Sequence, residues 1–123
     1  MGVGHRIRKD EIMGGKSART KGHNFERWIA KKLREIFPGA RRGLQYQDGK
    51  KCADVVDAGP WHWECKVGKK PGVRTALKQA EIDCSKGMIP VAVIKDDRAE
   101  PFVVLPFDDF LEMVGQLTRY WRG

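Results

Sequence analysis

The sequence has few of the features that mark secreted or membrane proteins. Its 123 residues contain only three cysteines, an odd number without CxxC spacing: Cys52, Cys65 and Cys84. This argues against a disulfide framework and fits a reducing compartment. The longest apolar run, 89–94, includes a proline and is far shorter than the ~20 residues that span a bilayer. No apolar segment follows the basic start of the sequence, so we expect neither a secretory signal nor a membrane partner.

Acidic residues are scarce in the first third of the chain, which makes the charge uneven. Residues 1–42 contain 12 Lys and Arg against 4 Asp and Glu, whereas residues 43–123 contain 12 of each. The whole net charge of +8 therefore belongs to the first third. Such an asymmetry predicts a polyanionic partner, most often a nucleic acid. The alternative is a solvated basic segment without a partner.

The length fits a single domain, because domains cluster at roughly 100–150 residues. Residues 1–16 are rich in glycine and basic side chains, and we expect them to form a flexible basic arm. We place the domain at 17–118 and a C-terminal tail at 119–123. Hydrophobic spacing predicts helices over 17–37, 73–84 and 109–117, and strands over 40–47, 53–58, 61–66, 90–95 and 102–105. The order α-β-β-β-α-β-β-α predicts an α/β (mixed α+β) fold, a mixed sheet flanked by helices.

The predicted strand 61–66 places a carboxylate and an ammonium group together. Alternation puts Trp61, Trp63 and Cys65 on one face and His62, Glu64 and Lys66 on the other. An acid two residues before a lysine has no weight by itself, since Asp48-Gly49-Lys50 shows the same spacing in a predicted turn. Glu64 and Lys66 differ from that pair because they project from a strand whose opposite face is apolar.

Asp54 is unusual because aspartate is disfavoured within strands. If a three-residue loop, 58–60, joins the two strands, Asp54 lies directly opposite Glu64 and shares its face. A two-residue loop would place the two carboxylates on opposite faces, so the site hypothesis requires the longer loop. The alternative is an edge-strand aspartate that faces water, as we expect for the nearby Asp57.

Glu26 falls inside the apolar stripe of the first helix, between Leu33 and Phe37 at roughly 100° per residue. Buried carboxylates are unfavourable unless they are paired or bind a metal ion. Lys32 also falls inside this stripe, but lysine can reach water on its long stem. Three carboxylates and one lysine that converge from a helix and two strands predict a site for a hard cation such as Mg²⁺, with oxygen ligands.

These residues resemble the PD-(D/E)xK nuclease superfamily, through Glu26, Asp54 and Glu64-x-Lys66. The run 21–27, KGHNFER, is most similar to the Holliday-junction resolvases of archaea and some phages. The resemblance covers residues 16–115 and implies a restriction-endonuclease-like core. Ala53 stands where the motif name has proline, a position at which the superfamily varies.

The resemblance implies a set of roles at this site. Asp54, Glu64 and the backbone carbonyl of Cys65 would bind Mg²⁺, which Mn²⁺ would replace, and Glu26 would complete the metal site. Lys66 would position the attacking water. The DNA-binding residues would be Arg27, Arg41 and Arg42, to which we add Lys16 and Lys21, and Gln79 falls where some relatives have a helix glutamine near the site.

The activity implied is Mg²⁺-dependent hydrolysis of four-way DNA junctions in recombination and repair. The location implied is the cytoplasm of a prokaryotic or phage-infected cell. Because resolution of a four-way junction requires two cuts in symmetrically placed strands, we predict a homodimer. Tyr120 and Trp121 are among its candidate contacts. One alternative is a nickase or repair nuclease that acts on other branched or duplex DNA. Another is a non-catalytic DNA-binding module that keeps the nuclease fold.

Three further interpretations of single residues stay open as alternatives. His62, Cys65 and Cys52 suggest zinc, but we expect His62 and Cys65 to point to opposite faces. A thiol nucleophile needs a neighbouring base, which no spacing here supplies. Trp61 and Trp63 could stack on bases, although on a strand that faces a helix we expect them in the core.

Overall fold

The computed structural model describes residues 17–44, 46–47 and 50–122, which form a mixed α+β fold. The predicted basic arm, Lys16 and the Asp48-Gly49 turn lie outside these residues. The described helices are α1 (Ala18–Leu33), α2 (Val73–Asp83) and α3 (Phe107–Arg122). The strands are β1 (Arg41–Arg42), β2 (Tyr46–Gln47), β3 (Lys50–Lys51), β4 (Val55–Val56), β5 (Trp61–Gly68), β6 (Ile89–Asp96) and β7 (Phe102–Val104).

Five of the strands form one mixed sheet in the order β1-β4-β5-β6-β7, as predicted for the sheet type. β5 and β6 are parallel, and α2 connects them. The other pairs in this sheet are antiparallel, and β2 with β3 forms a separate two-stranded hairpin. Parallel pairing requires a crossover connection, and α2 supplies it.

Helices cover both faces of the sheet, which confirms the predicted flanking arrangement. Phe25 and Ile29 of α1 pack with Cys65 and Val93 on one face. Ala76 of α2 packs with Ala92 and Ile94 on the other. Because β6 is buried on both faces, its sequence is a continuous apolar run rather than an alternating one.

The turn between β4 and β5 sets the register on which the site hypothesis depends. Val55 pairs with Trp63, so Asp54 stands opposite Glu64, as the longer loop predicts. The turn contains Asp57 and Gly59, both with positive φ (57° and 75°). A Cβ atom at Gly59 would lie 2.6 Å from the Trp61 ring, so that only glycine fits this close approach.

Several element boundaries differ from the sequence predictions. β4 begins at Val55, two residues later than predicted, although the Asp54 backbone still hydrogen-bonds to Trp63 and Gly43. The strand predicted over 40–47 is two short strands, β1 and β2. α1 ends at Leu33, and the backbone N–H groups of Ile36 and Phe37 then close a tight turn onto Leu33.

The last helix is longer at both ends than the predicted 109–117. It begins at Phe107, directly after Pro106, and continues through Tyr120 and Trp121 to Arg122. The sequence has no proline or glycine between Leu117 and Arg122 to stop it, so the described part of the predicted tail is helical. In the part of the chain that the structure describes, no helix is long and apolar enough to cross a membrane.

Candidate active site

The predicted site residues line one cavity of about 330 Å³ at the junction of α1, β4 and β5. We call it the carboxylate cavity, and its predicted members are Glu26, Asp54, Glu64, Cys65 and Lys66. The structure also places three residues that we did not predict on its wall: Arg19, His23 and Lys51. Three carboxylates, an exposed lysine and further basic groups therefore face a common space.

Asp54 is held by the backbone of the opposite strand. Its Oδ2 atom accepts a hydrogen bond from the Cys65 N–H at 2.8 Å, and its own N–H donates to the carbonyl oxygen of Trp63 at 2.8 Å. Burial, with the Glu64 and Glu26 carboxylates beside it, raises the pKa of Asp54 to about 7 despite the Cys65 hydrogen bond and nearby Lys51. Burial and the two neighbouring carboxylates therefore make the ionised form of Asp54 unfavourable unless a cation binds beside it.

Glu64 is the most buried acid of the site, with a side chain only 4% exposed. Its Oε2 atom lies 3.4 Å from the Nζ atom of Lys51. Its Oε1 atom has no hydrogen-bond partner among the described residues and lies 3.8 Å from Nε2 of buried His62, which also lacks one there. An unpartnered oxygen on a buried carboxylate is costly, and a bound cation or water would satisfy it.

Lys51 links Glu64 to helix α2. Its Nζ atom also lies 3.4 Å from Oδ2 of Asp83, and this oxygen accepts a hydrogen bond from Nε2 of Gln79 at 2.7 Å. Burial lowers the pKa of Lys51, but the carboxylates of Glu64, Asp83 and Asp54 outweigh it, so the pKa is raised overall. Gln79 therefore reaches the site through Asp83 and Lys51.

A second cavity of about 570 Å³ adjoins the carboxylate cavity and is lined by Arg42 and by residues of α1. We call it the basic cavity. Arg42 donates from Nε to Oε1 of Glu26 at 2.7 Å, which pairs this partly buried carboxylate. Arg19 and His23 line both cavities together with Glu26. Their spacing of four and three residues places all three on one helix face, and this spacing to Glu26 is the pattern that identifies Arg19 and His23 in the sequence.

The other predicted DNA-binding residues are placed less directly. Arg27 is exposed and hydrogen-bonds to Asn24, and exposed Arg41 pairs with Asp57. Lys21 forms an ion pair with Asp97 at 2.9 Å and is 17% exposed. Of the described arginines and lysines predicted to bind DNA, Arg42 is the one that lines the basic cavity.

The donor set fits a hard divalent cation that keeps part of its water shell. Within the described residues, no group of three His, Cys, Asp or Glu side chains stands close enough to hold a metal ion by itself. Mg²⁺ needs only one or two carboxylates and takes its other ligands from water and phosphate oxygens. Asp54 and the unpartnered oxygen of Glu64 meet that requirement, and burial together with the neighbouring carboxylates makes ionised Asp54 unfavourable without a cation.

The structure places His62 and Cys65, two of the residues considered for zinc, in different surroundings. Cys65 belongs to the hydrophobic core under α1, whereas His62 lines a cavity beneath α2. Burial, with the carboxylates of the site, holds the pKa of the Cys65 thiol well above its usual range, which disfavours a thiolate nucleophile.

The two tryptophans of β5 are partly buried and pack against the core. Trp61 and Trp63 lie against the cluster under α1, with their ring centroids 6.1 Å apart. The Trp63 indole N–H donates to the carbonyl oxygen of Ala58 at 2.9 Å.

No protein-family model, no curated protein and no solved structure matches this chain.

Proposed function

We propose that this protein is a Mg²⁺-dependent endodeoxyribonuclease that acts on four-way DNA junctions in recombination and repair. The observation that carries the proposal is the convergence of Glu26, Asp54, Glu64 and Lys66 on one cavity. The adjoining basic cavity supplies a path for a polyanion that ends at the carboxylates. Its fold would then be a restriction-endonuclease-like core, with the described five-stranded sheet at its centre.

Each of these residues would have a distinct role in phosphodiester hydrolysis. Asp54, Glu64 and the Cys65 carbonyl would hold Mg²⁺, and Glu26 would support the ion from α1. When bound, the ion would polarise the phosphoryl group, lower the pKa of water and steady the leaving oxygen. Lys66, exposed at the mouth of the cavity, would orient the attacking water and offset negative charge on the phosphorane. The products would be 5′-phosphate and 3′-hydroxyl ends.

Positively charged groups beside the carboxylates would hold the DNA backbone rather than select bases. Arg19, His23 and Arg42 line the basic cavity, and phosphate contacts of this kind fix position without reading sequence. Arg42 has a second task, because its pairing with Glu26 reduces the repulsion between that carboxylate and an incoming phosphate.

Replacement of Arg19 and Arg42 by glutamine should weaken DNA binding and flatten its dependence on salt. The slope of log K against log [salt] should become shallower by about 0.9 for each phosphate that the variant no longer neutralises. The measurement is junction binding in EDTA at several salt concentrations. Arg74→Gln is the matched control, because Arg74 is exposed on α2 and lines none of the cavities described above. An unchanged slope in the double variant would show that these arginines do not face DNA.

Lys66→Ala should lose cleavage while it keeps its fold and its affinity for DNA. The Lys66 side chain is exposed, so truncation removes an ammonium group from the cavity without opening the core. We expect a rate reduction of at least 100-fold, or about 2.7 kcal/mol in barrier height. Lys69→Ala, three residues further along the same segment and also exposed, is the control. Equal rates for the two variants would contradict the role of Lys66.

A gel assay with a four-way junction, a fork and a linear duplex, each with and without Mg²⁺, tests the substrate class. Preferential cleavage of the junction in Mg²⁺ is the expected result. Equal cleavage of all three substrates would instead indicate a nickase or general repair nuclease. Binding without cleavage in Mg²⁺ or Mn²⁺ would indicate a non-catalytic DNA-binding module.

A further inference from the structure

Helix α3 exposes a continuous apolar face. Seven of its large apolar side chains are between 41% and 80% exposed: Phe107, Phe110, Leu111, Val114, Leu117, Tyr120 and Trp121. At roughly 100° per residue, they occupy one half of the helix circumference. An amphipathic helix normally buries such a stripe, and monomeric proteins rarely expose patches of this extent.

Asp109 and Met113 of α3 are partly buried, whereas Asp108, Glu112 and Gln116 are exposed, so one edge of the helix faces the rest of the chain. Asp109 is partly buried, and its carboxylate adds to burial in raising the pKa of Cys84 at the end of α2. Asp109 lies about 140° around the helix from Val114, the centre of the apolar stripe. The stripe therefore points away from α2 and into solvent.

We propose that a second copy of this chain covers the apolar face of α3, with the two helices antiparallel about a two-fold axis near Val114. Aromatic side chains each offer ~150–250 Å². With four aromatic and three aliphatic residues about half exposed or more, the face provides on the order of 700 Å² per chain. A standard stable interface buries about 800 Å² per partner.

The opposed dipoles of the two helices favour the antiparallel arrangement. Asp108 and Asp109 lie in the first turn of α3 and Glu112 follows in the next, whereas Arg119 lies near its end. An antiparallel pair opposes the two helix dipoles. It also brings the acidic start of one helix level with the basic end of the other, with these charged side chains outside the contact itself. Phe107 of one copy is then level with Trp121 of its partner.

A second copy fits this face better than DNA does. Three acids at the start of the helix would repel DNA phosphates. The aromatic stripe offers no cationic groups that would neutralise the phosphate charge. No described α3 residue lines the carboxylate or the basic cavity, so pairing through α3 leaves both sites open. The interface is argued from α3 alone. Its role rests on the proposed function, since a dimer would supply two active sites for the two cuts.

Sedimentation equilibrium of the full chain at micromolar concentration tests the interface independently of cleavage. Wild type should sediment as a dimer of the 14.0 kDa chain. Val114→Glu and Leu117→Glu should each raise the dissociation constant at least tenfold and keep the wild-type circular dichroism. Gln116→Glu adds the same charge on the polar side of α3 and should leave the dimer intact. Val114→Cys should form an intermolecular disulfide under mild oxidation, located by peptide mass spectrometry, whereas Gln116→Cys should not.

The outcomes separate this inference from the proposed nuclease activity. A monomeric wild type would overturn the interface, as would a dimer that both glutamate variants leave unchanged or a disulfide at position 116 rather than 114. A dimer that cuts no DNA would keep the interface and overturn the nuclease. If both hold, wild type should linearise a cruciform plasmid, whereas Val114→Glu should yield mainly nicked circles.

Discussion

Asp54→Asn and Glu64→Gln are each expected to reduce Mg²⁺-dependent junction cleavage below ~1% of wild type, a rise of at least about 2.7 kcal/mol in the barrier. Each substitution replaces a carboxylate oxygen by an amide nitrogen, which cannot bind a cation. Binding to the same junction in EDTA should stay unchanged or become tighter, because a negative charge that repels phosphate is removed. Gel-based cleavage rates and binding isotherms measure the two effects separately.

The control for these variants is Glu81→Gln, which removes one negative charge from the exposed surface of α2. Glu81→Gln should cleave at the wild-type rate, so that inactivity of the other two cannot be attributed to net charge. The double variant Asp54→Asn with Glu64→Gln should be no worse than either single variant if the two carboxylates act as one unit. Near-wild-type cleavage by either single variant would contradict the proposed site.

The pairing of Asp54 with Glu64 across the two strands could be predicted because the length of a turn fixes the register of the antiparallel strands it joins. Alternation places Glu64 and Lys66 on the same face of β5, and the length of the turn at Gly59 then decides which residue stands opposite Glu64. The structure has the register that the longer loop requires. The sequence could not show that the Asp54 side chain accepts a hydrogen bond from the Cys65 N–H, since this depends on the local geometry of the two strands.

Lys51 could not be predicted as a member of the site. It belongs to a hairpin of two-residue strands, which are too short to show any periodicity. Its position between Glu64 and Asp83 depends on how α2 packs beside β5, a contact between segments distant in sequence. Local patterns identify which groups share a face, but tertiary packing decides which cation reaches a buried acid.

Arg19 and His23 represent a different case, because the helix on which they lie was predicted. Their relation to Glu26 follows from helical spacing once Glu26 is assigned to the site. The basic residues chosen instead, Arg27 and Lys21, lie on other faces of α1, where they contact Asn24 and Asp97. Charge composition therefore predicted a basic region of the sequence, whereas helix geometry determines which of its basic residues face the carboxylates.

The metal-free protein should lose stability as the pH rises from about 4 to 7, and Asp54 should account for much of that loss. Its pKa is about 7 in the folded chain against an ordinary value of 3.8, so the folded state binds this proton more tightly than the unfolded state does. The stabilisation is complete below the unfolded value and is lost as the pH passes through the folded value. At about 1.4 kcal/mol per pKa unit, the effect is at most ~4 kcal/mol.

Asp54→Asn removes this titration and keeps an oxygen that can accept the Cys65 N–H. In EDTA, the variant should therefore become more stable than wild type by an amount that grows from pH 5 to pH 8. Urea unfolding at each pH gives the difference directly, and Glu81→Gln should show no such growth because Glu81 is exposed on α2 and lines none of the cavities described above. Addition of Mg²⁺ at pH 8 should stabilise wild type more than Asp54→Asn, since binding to the folded state alone raises its stability. A stability difference that stays constant from pH 5 to pH 8 would show that burial and the neighbouring carboxylates do not raise the pKa of Asp54. That result would remove the electrostatic reason for a cation at this site.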